Sequence, residues 1–409
     1  MNYTFIEKKY TLRKIFKIIL SLFFFPLRYL IPKKTIIFSG TNNYNYNGNS
    51  RFLYEYLSEK TDLQVYWFTR SKSIKDYLIK NRFKYISYSN PIKLILVASF
   101  AKIVINDGDN YFNIFGLCDS KMTIKLSLYH GFGPKITLAT SSNPEARNVQ
   151  LRRINKFDYV NFTSEYLAKN ISKSIFHLPY KKVVINGFPR NDIFYDKKIV
   201  ADSYKQKNII KNYFKSNIND NTKIILYTPT WRPYDYNLPL IDLNGYQEDL
   251  FNDFLSKNNL FFIYTLHKVH LPKKIIKNSD RILYVDDRYS LYDANLLMME
   301  TDILINDYST TSVDYSILQK PQLFCIPDYE IYKNTKGFLE NYVDTMPGNQ
   351  THNFDDFLSN IMNILSEPMK YLEKYENKRK NLLQKYYCLD DYNSRKVHCK
   401  FIKKLMAVK

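Results

Sequence analysis

The chain has only four cysteines in 409 residues, at positions 118, 325, 388 and 399, and they form neither a CxxC pair nor a His/Cys set with metal-ligand spacing. A disulfide-stapled framework and a zinc module are therefore excluded, and the thiols read as reduced and buried, with the cytoplasm as the expected compartment. Glycine is also scarce, at 10 residues, and neither a Walker loop nor a Rossmann fingerprint is present. Zinc-finger spacing and an RNP-type aromatic motif are both missing, so nucleic acid would rest on charge alone and is not expected as a partner. No apolar run reaches the ~20 residues that span a bilayer. No internal repeat or low-complexity linker stands out.

What is abundant is positive charge: 60 Lys and Arg against 39 Asp and Glu, a net +21. A field of that sign attracts polyanions such as phosphate-rich substrates and anionic lipid. The aromatic share is 16%, with 37 Tyr and 28 Phe, and reads as compositional bias rather than as a binding surface. The N-terminal stretch KKYTLRKIFKIILSLFFFPLRYLIPKK is basic at both ends and apolar between. It stops at Pro26, and Arg28 stands where a signal-peptide cleavage site would need small residues. One reading is a first core helix. The other, favoured by the charge, is an interfacial helix in which Leu22, Phe23, Phe24 and Phe25 enter the headgroup layer. Lys8, Lys9, Arg13, Lys14, Lys17, Lys33 and Lys34 would then meet anionic lipid.

The length favours two domains. Short β-branched runs alternate with segments of helical spacing: KTIIFSG, NSRFLYEYLSEK, DLQVYWFT, SIKDYLIKN, KYISY, PIKLILVASF, AKIVIND, MTIKLSLYH, YVNFTS and KVVINGFPRND. Such alternation predicts a parallel sheet with helices on both faces. A polar, Lys/Asn-rich stretch over residues 196–223 interrupts it, and the alternation restarts at KIILYTPT and continues to PQLFCIP. The expected division is a basic, apolar N-terminal helix over 1–34, a Rossmann-like domain over 35–195, a second Rossmann-like domain over 196–365 and a helical tail over 366–409. Two doubly wound α/β domains would face each other across a cleft, with ligands at the carboxyl ends of the strands.

The residues suited to chemistry stand where that rule puts them. His130 follows IKLSLY and is flanked by Gly131, Gly133 and Lys135. Glycine there lets backbone and ligand approach closely. Thr230 and Arg232 follow IILY, His267 follows FFIYTL, and Asp307, Ser309 and Thr310 follow DILI. The run Asp-Tyr-Ser-Thr-Thr has the makings of a phosphate cradle opening a helix, although Ser and Thr are also ordinary N-caps. Arg232 could fork onto phosphate oxygens or form a surface ion pair. Asp192, in GFPRND, could be a turn residue.

The ordered series YHGFGPK, GFPRND, ILYTPTWR, TLHK, DILINDYSTTSVDY, KPQLFCIPDYEIYKNTKGFLENY and MPG resembles the CDP-glycerol glycerophosphotransferase family, the teichoic acid primases and polymerases with related capsule polymerases. The likeness covers roughly residues 35–365. It departs where family members usually read Trp-His-Gly-Thr, His-Pro and Arg-Gly, and this chain has Tyr129-His130-Gly131-Phe132, His267-Lys268 and Lys336-Gly337. The resemblance implies a GT-B fold, with the 35–195 domain on the acceptor side and the 196–365 domain binding the donor, and transfer of a polyol-phosphate unit from a CDP-activated donor to a hydroxyl of a lipid-linked acceptor, with release of CMP. It implies His130 as general base, with His267, Thr230, Arg232, Ser309 and Thr310 holding the donor phosphates. Gly131, Lys135, Asp192 and Asp307 would support or position them. A peripheral enzyme on the cytoplasmic face of the membrane follows from the acceptor. No carboxylate cluster calls for a metal, so no cofactor is assigned, and assistance by loosely bound Mg²⁺ is left open. A GT-B nucleotide-sugar glycosyltransferase and a non-catalytic basic binder are the alternatives.

Overall fold

A computed structural model describes residues 34–40, 45–114, 116–119, 121–135, 144–195, 219, 221–232, 234–266, 271–285, 293–387 and 393–407. The expected N-terminal helix and most of the polar 196–223 stretch lie outside these residues.

The first half builds a sheet of seven parallel strands in the order β3-β2-β1-β4-β5-β6-β7. These are β1 (Thr35–Ser39), β2 (Gln64–Phe68), β3 (Tyr85–Ile86), β4 (Ala101–Asn106), β5 (Ile124–Ser127), β6 (Tyr159–Phe162) and β7 (Val183–Ile185). The helices between them include α1 (Gly48–Lys60), α2 (Lys72–Lys80), α3 (Pro91–Ser99) and α4 (Pro144–Ile154). The second half builds six parallel strands, β10-β9-β8-β11-β12-β13: β8 (Lys223–Tyr227), β9 (Leu260–Thr265), β10 (Ile282–Val285), β11 (Ile303–Asn306), β12 (Gln322–Cys325) and β13 (Asn349–Thr351). Its helices include α5 (Glu248–Lys257), α6 (Ala294–Glu300), α7 (Thr311–Ser316), α8 (Tyr329–Thr335), α9 (Tyr342–Thr345) and α10 (Phe354–Ser366). The chain ends in α11 (Pro368–Lys374), α12 (Glu376–Tyr386) and α13 (Ser394–Ala407).

Parallel strands need both faces covered, which is why their residues read as continuous apolar runs rather than alternating ones. Ile36, Ile37 and Phe38 of β1 are all fully buried. One face of the first sheet packs on Leu53, Leu57, Ile74 and Leu78 of α1 and α2, the other on Leu94, Val97 and Ala98 of α3. The apolar run PIKLILVAS is helical because Pro91 fixes the first turn and the Asn90 side chain caps it by accepting from Lys93 N at 3.0 Å. In the second half, α5 and α10 cover one face and Leu296, Leu297 and Met298 of α6 the other.

The C-terminal tail does not stand apart. Cys399, Ile402 and Leu405 of α13 join the core of the first sheet, so the chain crosses back after completing the second. Asp192 anchors this return. Its carboxylate accepts from Ser394 N at 2.9 Å, Arg395 N at 2.8 Å and Arg395 Nε at 3.1 Å, the arrangement of an acidic group at a helix N-terminus.

Candidate active site

The loops leaving β5, β8 and β11 meet at the seam between the halves. After β5 the backbone turns at Tyr129, a non-glycine residue with φ of 57°, and presents His130. The glycines that follow are required by contact. A Cβ on Gly131 would stand 2.6 Å from Thr310 Oγ1, and one on Gly133 3.1 Å from Thr310 Cγ2. Leu339 N donates to the Pro134 carbonyl at 2.6 Å, and Lys135 bridges to Phe338. Phe132 turns inward and stacks on Tyr129, Phe162 and Phe188 at 4.7, 5.0 and 5.9 Å between ring centroids. The His130 loop is thus a rigid strip clamped between a first-half aromatic stack and second-half residues.

His130 itself is exposed at the mouth of the seam, yet its ring is oriented. Nδ1 lies 3.1 Å from the Asp107 carbonyl oxygen. A carbonyl only accepts, so Nδ1 carries the proton and Nε2 is the bare nitrogen; among the described residues Nε2 has no partner. The surrounding protein disfavours the imidazolium, and Arg190 and Lys135 reinforce this against the pull of the Asp107 carbonyl, so the pKa falls to about 4. The ring is therefore neutral and able to accept a proton at physiological pH.

Sequence reading missed two groups that frame it. Asp107, at the end of β4, is buried and its pKa is raised to about 7 by burial, with opposing help from Ser50 and Arg190. Arg190, inside GFPRND, donates to the His130 carbonyl at 2.7 Å and to Asp314 Oδ2 at 2.6 Å across the seam. The strand-end rule that found His130 points equally at Asp107. Arg190 carries no such signal.

On the second half, Asp307 is fully buried. It accepts from Thr230 N at 2.9 and 3.0 Å and from Arg232 Nη1 at 2.6 Å. Thr228 and Thr311 share a 2.7 Å hydroxyl contact, and Thr311 Oγ1 donates to Ser309 Oγ at 3.1 Å. The hydroxyls of Thr228, Ser309 and Thr311 are thus linked, next to the Thr310 that touches the His130 loop. Thr230 Oγ1 is buried with no partner among the described residues.

Arg232 does not present a fork to a phosphate. It is 0% exposed, and its guanidinium is taken up by Asp307 and by a bidentate pair with Asp328 at 2.7 and 2.9 Å. Tyr308 and Tyr332, whose rings stack on each other at 4.0 Å, lie beside it with centroids 4.8 and 5.2 Å from the guanidinium carbon. An arginine so enclosed organises the loop instead of contacting a ligand. Among the described residues of this seam, the cations placed to reach an anion are Lys135 and Lys336, both half-buried. Burial lowers the Lys135 pKa to about 8, with Asp307 opposing and Arg232 and Lys336 assisting, and it also lowers that of Lys336. Lys336 lies over the Trp231 ring at 4.4 Å.

The structure therefore brings His130, Gly131, Lys135, Asp307 and Thr310 together, with Ser309 and Thr230 on the adjoining loops. Asp192 lies at the head of α13, where it serves as a cap. His267 lies outside the described residues. Among the described residues no three His, Cys, Asp or Glu side chains gather as a metal site.

A family profile, CDP-Glycerol:Poly(glycerophosphate) glycerophosphotransferase, matches residues 21–404. The teichoic acid glycerol-phosphate primase of Bacillus subtilis (strain 168) is 29% identical over 330 residues, 78% of this chain and 78% of that protein. The teichoic acid glycerol-phosphate transferase of Staphylococcus aureus is 25% identical over 92% of this chain and 95% of that one. Among solved structures, the wall teichoic acid polymerase TagF superposes with a TM-score of 0.70 at 19% identity, covering 97% of this chain and 98% of that chain. A UDP-GlcNAc 2-epimerase from Neisseria meningitidis superposes with a TM-score of 0.51 at 15% identity, over 90% and 99%. These superpositions show the fold, two doubly wound halves of the GT-B type.

Proposed function

The chain belongs to the CDP-glycerol:poly(glycerophosphate) glycerophosphotransferase family, and from that premise we propose that it transfers a polyol-phosphate unit from a CDP-activated donor such as CDP-glycerol to a hydroxyl of a membrane-linked acceptor. The observation that supports this most is His130, a neutral imidazole of fixed tautomer on a loop pressed against Thr310. In the step envisaged, the acceptor oxygen bonds to the phosphorus that bears the polyol, and the P–O bond to CMP breaks. The hydroxyl proton passes to His130 Nε2 and then to water. Lys135, Lys336 and the hydroxyls of Ser309 and Thr310 are assigned to the diphosphate, whose charge grows on the departing CMP. Asp307 and Arg232 shape this loop from beneath, and His267 remains a candidate on the donor side. The first half is assigned to the acceptor and the second to the donor, the same division that the resemblance implies.

The test is CMP release by the purified protein with a panel of CDP-glycerol, CDP-ribitol and UDP-sugars. Turnover of a CDP-polyol with CMP as product is expected; turnover of a UDP-sugar alone would replace this reading with nucleotide-sugar glycosyl transfer.

Among the described residues no helix is long and apolar enough to cross a membrane. A lipid-linked acceptor nonetheless requires the enzyme at the bilayer, and we assign that contact to the basic, apolar 1–34 segment on the cytoplasmic face. Deleting residues 1–32, or changing Lys8, Lys9, Arg13, Lys14 and Lys17 to Glu, is expected to abolish co-sedimentation with anionic vesicles. Unchanged sedimentation would refute the assignment.

A further inference from the structure

The supports of the His130 loop converge on a single turn that carries no recognisable motif, Gly48-Asn49-Ser50 at the head of α1. Asn49 and Ser50 are both 0% exposed. Asn49 Nδ2 donates to the Tyr129 carbonyl at 2.8 Å, and Asn49 Oδ1 accepts from Arg190 N at 3.3 Å. Tyr129 immediately precedes His130, and Arg190 donates to the carbonyl of His130 itself. Ser50 donates from both N and Oγ to Asp107 Oδ1, each at 2.8 Å; the carbonyl of Asp107 is the group that fixes His130 Nδ1. Gly48 N donates across the seam to Asp293 Oδ2 at 2.9 Å. Glycine is needed there twice over, since φ is 70° and a Cβ would stand 2.5 Å from Asp107 Oδ2.

Each bond has a specific consequence. Tyr129 holds a left-handed backbone, which persists in a non-glycine residue only where its surroundings over-determine it. Asn49 supplies one such constraint, and an amide is the small side chain that can donate to one backbone and accept from another. Ser50 satisfies the Asp107 carboxylate from two directions, which holds in place the residue whose carbonyl selects the tautomer. Second contacts of this kind set the orientation of an acid–base histidine.

We propose that Asn49 and Ser50 are positioning residues for the transfer reaction, setting where the imidazole stands and which of its nitrogens is bare without touching either substrate. This role presupposes His130 as the base. It differs from a donor-binding role because the bonds of Asn49 and Ser50 go to Tyr129, Arg190 and Asp107 and not to the lysines or hydroxyls assigned to the donor.

The experiment uses the full chain with Asn49→Ala, Ser50→Ala and His130→Ala. Three quantities are read: kcat for CMP release, Kd for CDP-glycerol, and the ¹⁵N signals of the His130 ring. In wild type the ring is expected as the Nδ1–H tautomer. Asn49→Ala and Ser50→Ala should bring mixed-tautomer signals and a kcat loss on the order of 10²-fold, the scale of a displacement of about 1 Å, with donor Kd unchanged. Wild-type kcat in Asn49→Ala would overturn the proposal. So would a kcat loss that runs parallel with donor affinity while the His130 signals stay as in wild type. If Asn49→Ala does not fold, Ser50→Ala decides by the same criteria, since it removes only the hydroxyl bond to Asp107. Activity retained by His130→Ala would instead overturn the base assignment itself, whereas an inactive His130→Ala beside fully active Asn49→Ala and Ser50→Ala would overturn the positioning role alone.

Discussion

CMP release is expected to fall by roughly 10²–10⁴-fold when His130 is replaced by alanine, the usual contribution of a positioned general base. Donor affinity should stay at the wild-type level, because the one bond of the ring among the described residues goes to the Asp107 carbonyl, within the first half. Initial rates beside donor Kd separate the two effects. A histidine that served only to bind donor would raise Kd and leave the rate at saturation intact. His130→Gln sharpens the test: glutamine can donate to the Asp107 carbonyl but has no basic nitrogen, so it should remain as inactive as alanine.

The second large effect is on stability. Arg232→Ala removes the cation that neutralises Asp307 and Asp328, both of which pair with it at 2.6–2.9 Å. Removing one partner of a buried pair leaves uncompensated charge and costs about 3–5 kcal/mol. The stacked rings of Tyr308 and Tyr332 would also lose the guanidinium they pack against. Denaturant unfolding is expected to show this loss even without donor. An arginine that met phosphate would give the opposite pattern, wild-type stability and weakened donor binding. Asp328→Asn should be milder than Arg232→Ala, since the Asp328 side chain is 19% exposed and Arg232 keeps Asp307.

These two residues also show what the sequence could and could not convey. His130, Asp307, Ser309 and Thr310 are legible as candidates because parallel α/β sheets place ligands at strand ends, and a strand end is a local feature. The two-sheet architecture was legible for the same reason, since each strand–helix unit carries its own hydrophobic pattern. Arg232 was misread because its sign was visible and its partner was not: Asp328 lies 96 positions away, and nothing local says that a carboxylate will enclose the guanidinium. Asp192 is a helix cap whose helix begins 202 residues later. Gly131 and Gly133 were noticed as loop formers, but the physical reason for them is Thr310, which only folding brings into contact. Asn49 reads in sequence as no more than a possible N-cap of the NSRFLYEYLSEK helix, because a buried amide bridging two backbones looks like any polar residue near a helix start.

The pH dependence of kcat/KM for CMP release from CDP-glycerol tests the central assignment most directly. His130 acts as a base only when neutral, so activity should be lost as pH falls through about 4. Lys135 attracts the diphosphate only when charged, so kcat/KM should decline as pH rises through about 8. In the donor complex the phosphates favour the ammonium, and kcat should hold to higher pH than kcat/KM. Asp107 titrates between the two limbs, at about 7, but its Oδ1 is held by Ser50 and its effect on the plateau should be modest. Lys135→Arg, whose guanidinium stays charged, should lose the alkaline limb and keep the acid one. A plateau between about 4 and about 8 with these limbs is the predicted result. An activity that rises only through the ordinary histidine range, about 6.5, or that shows no acid limb at all, would contradict a neutral, Asp107-oriented His130 as the base.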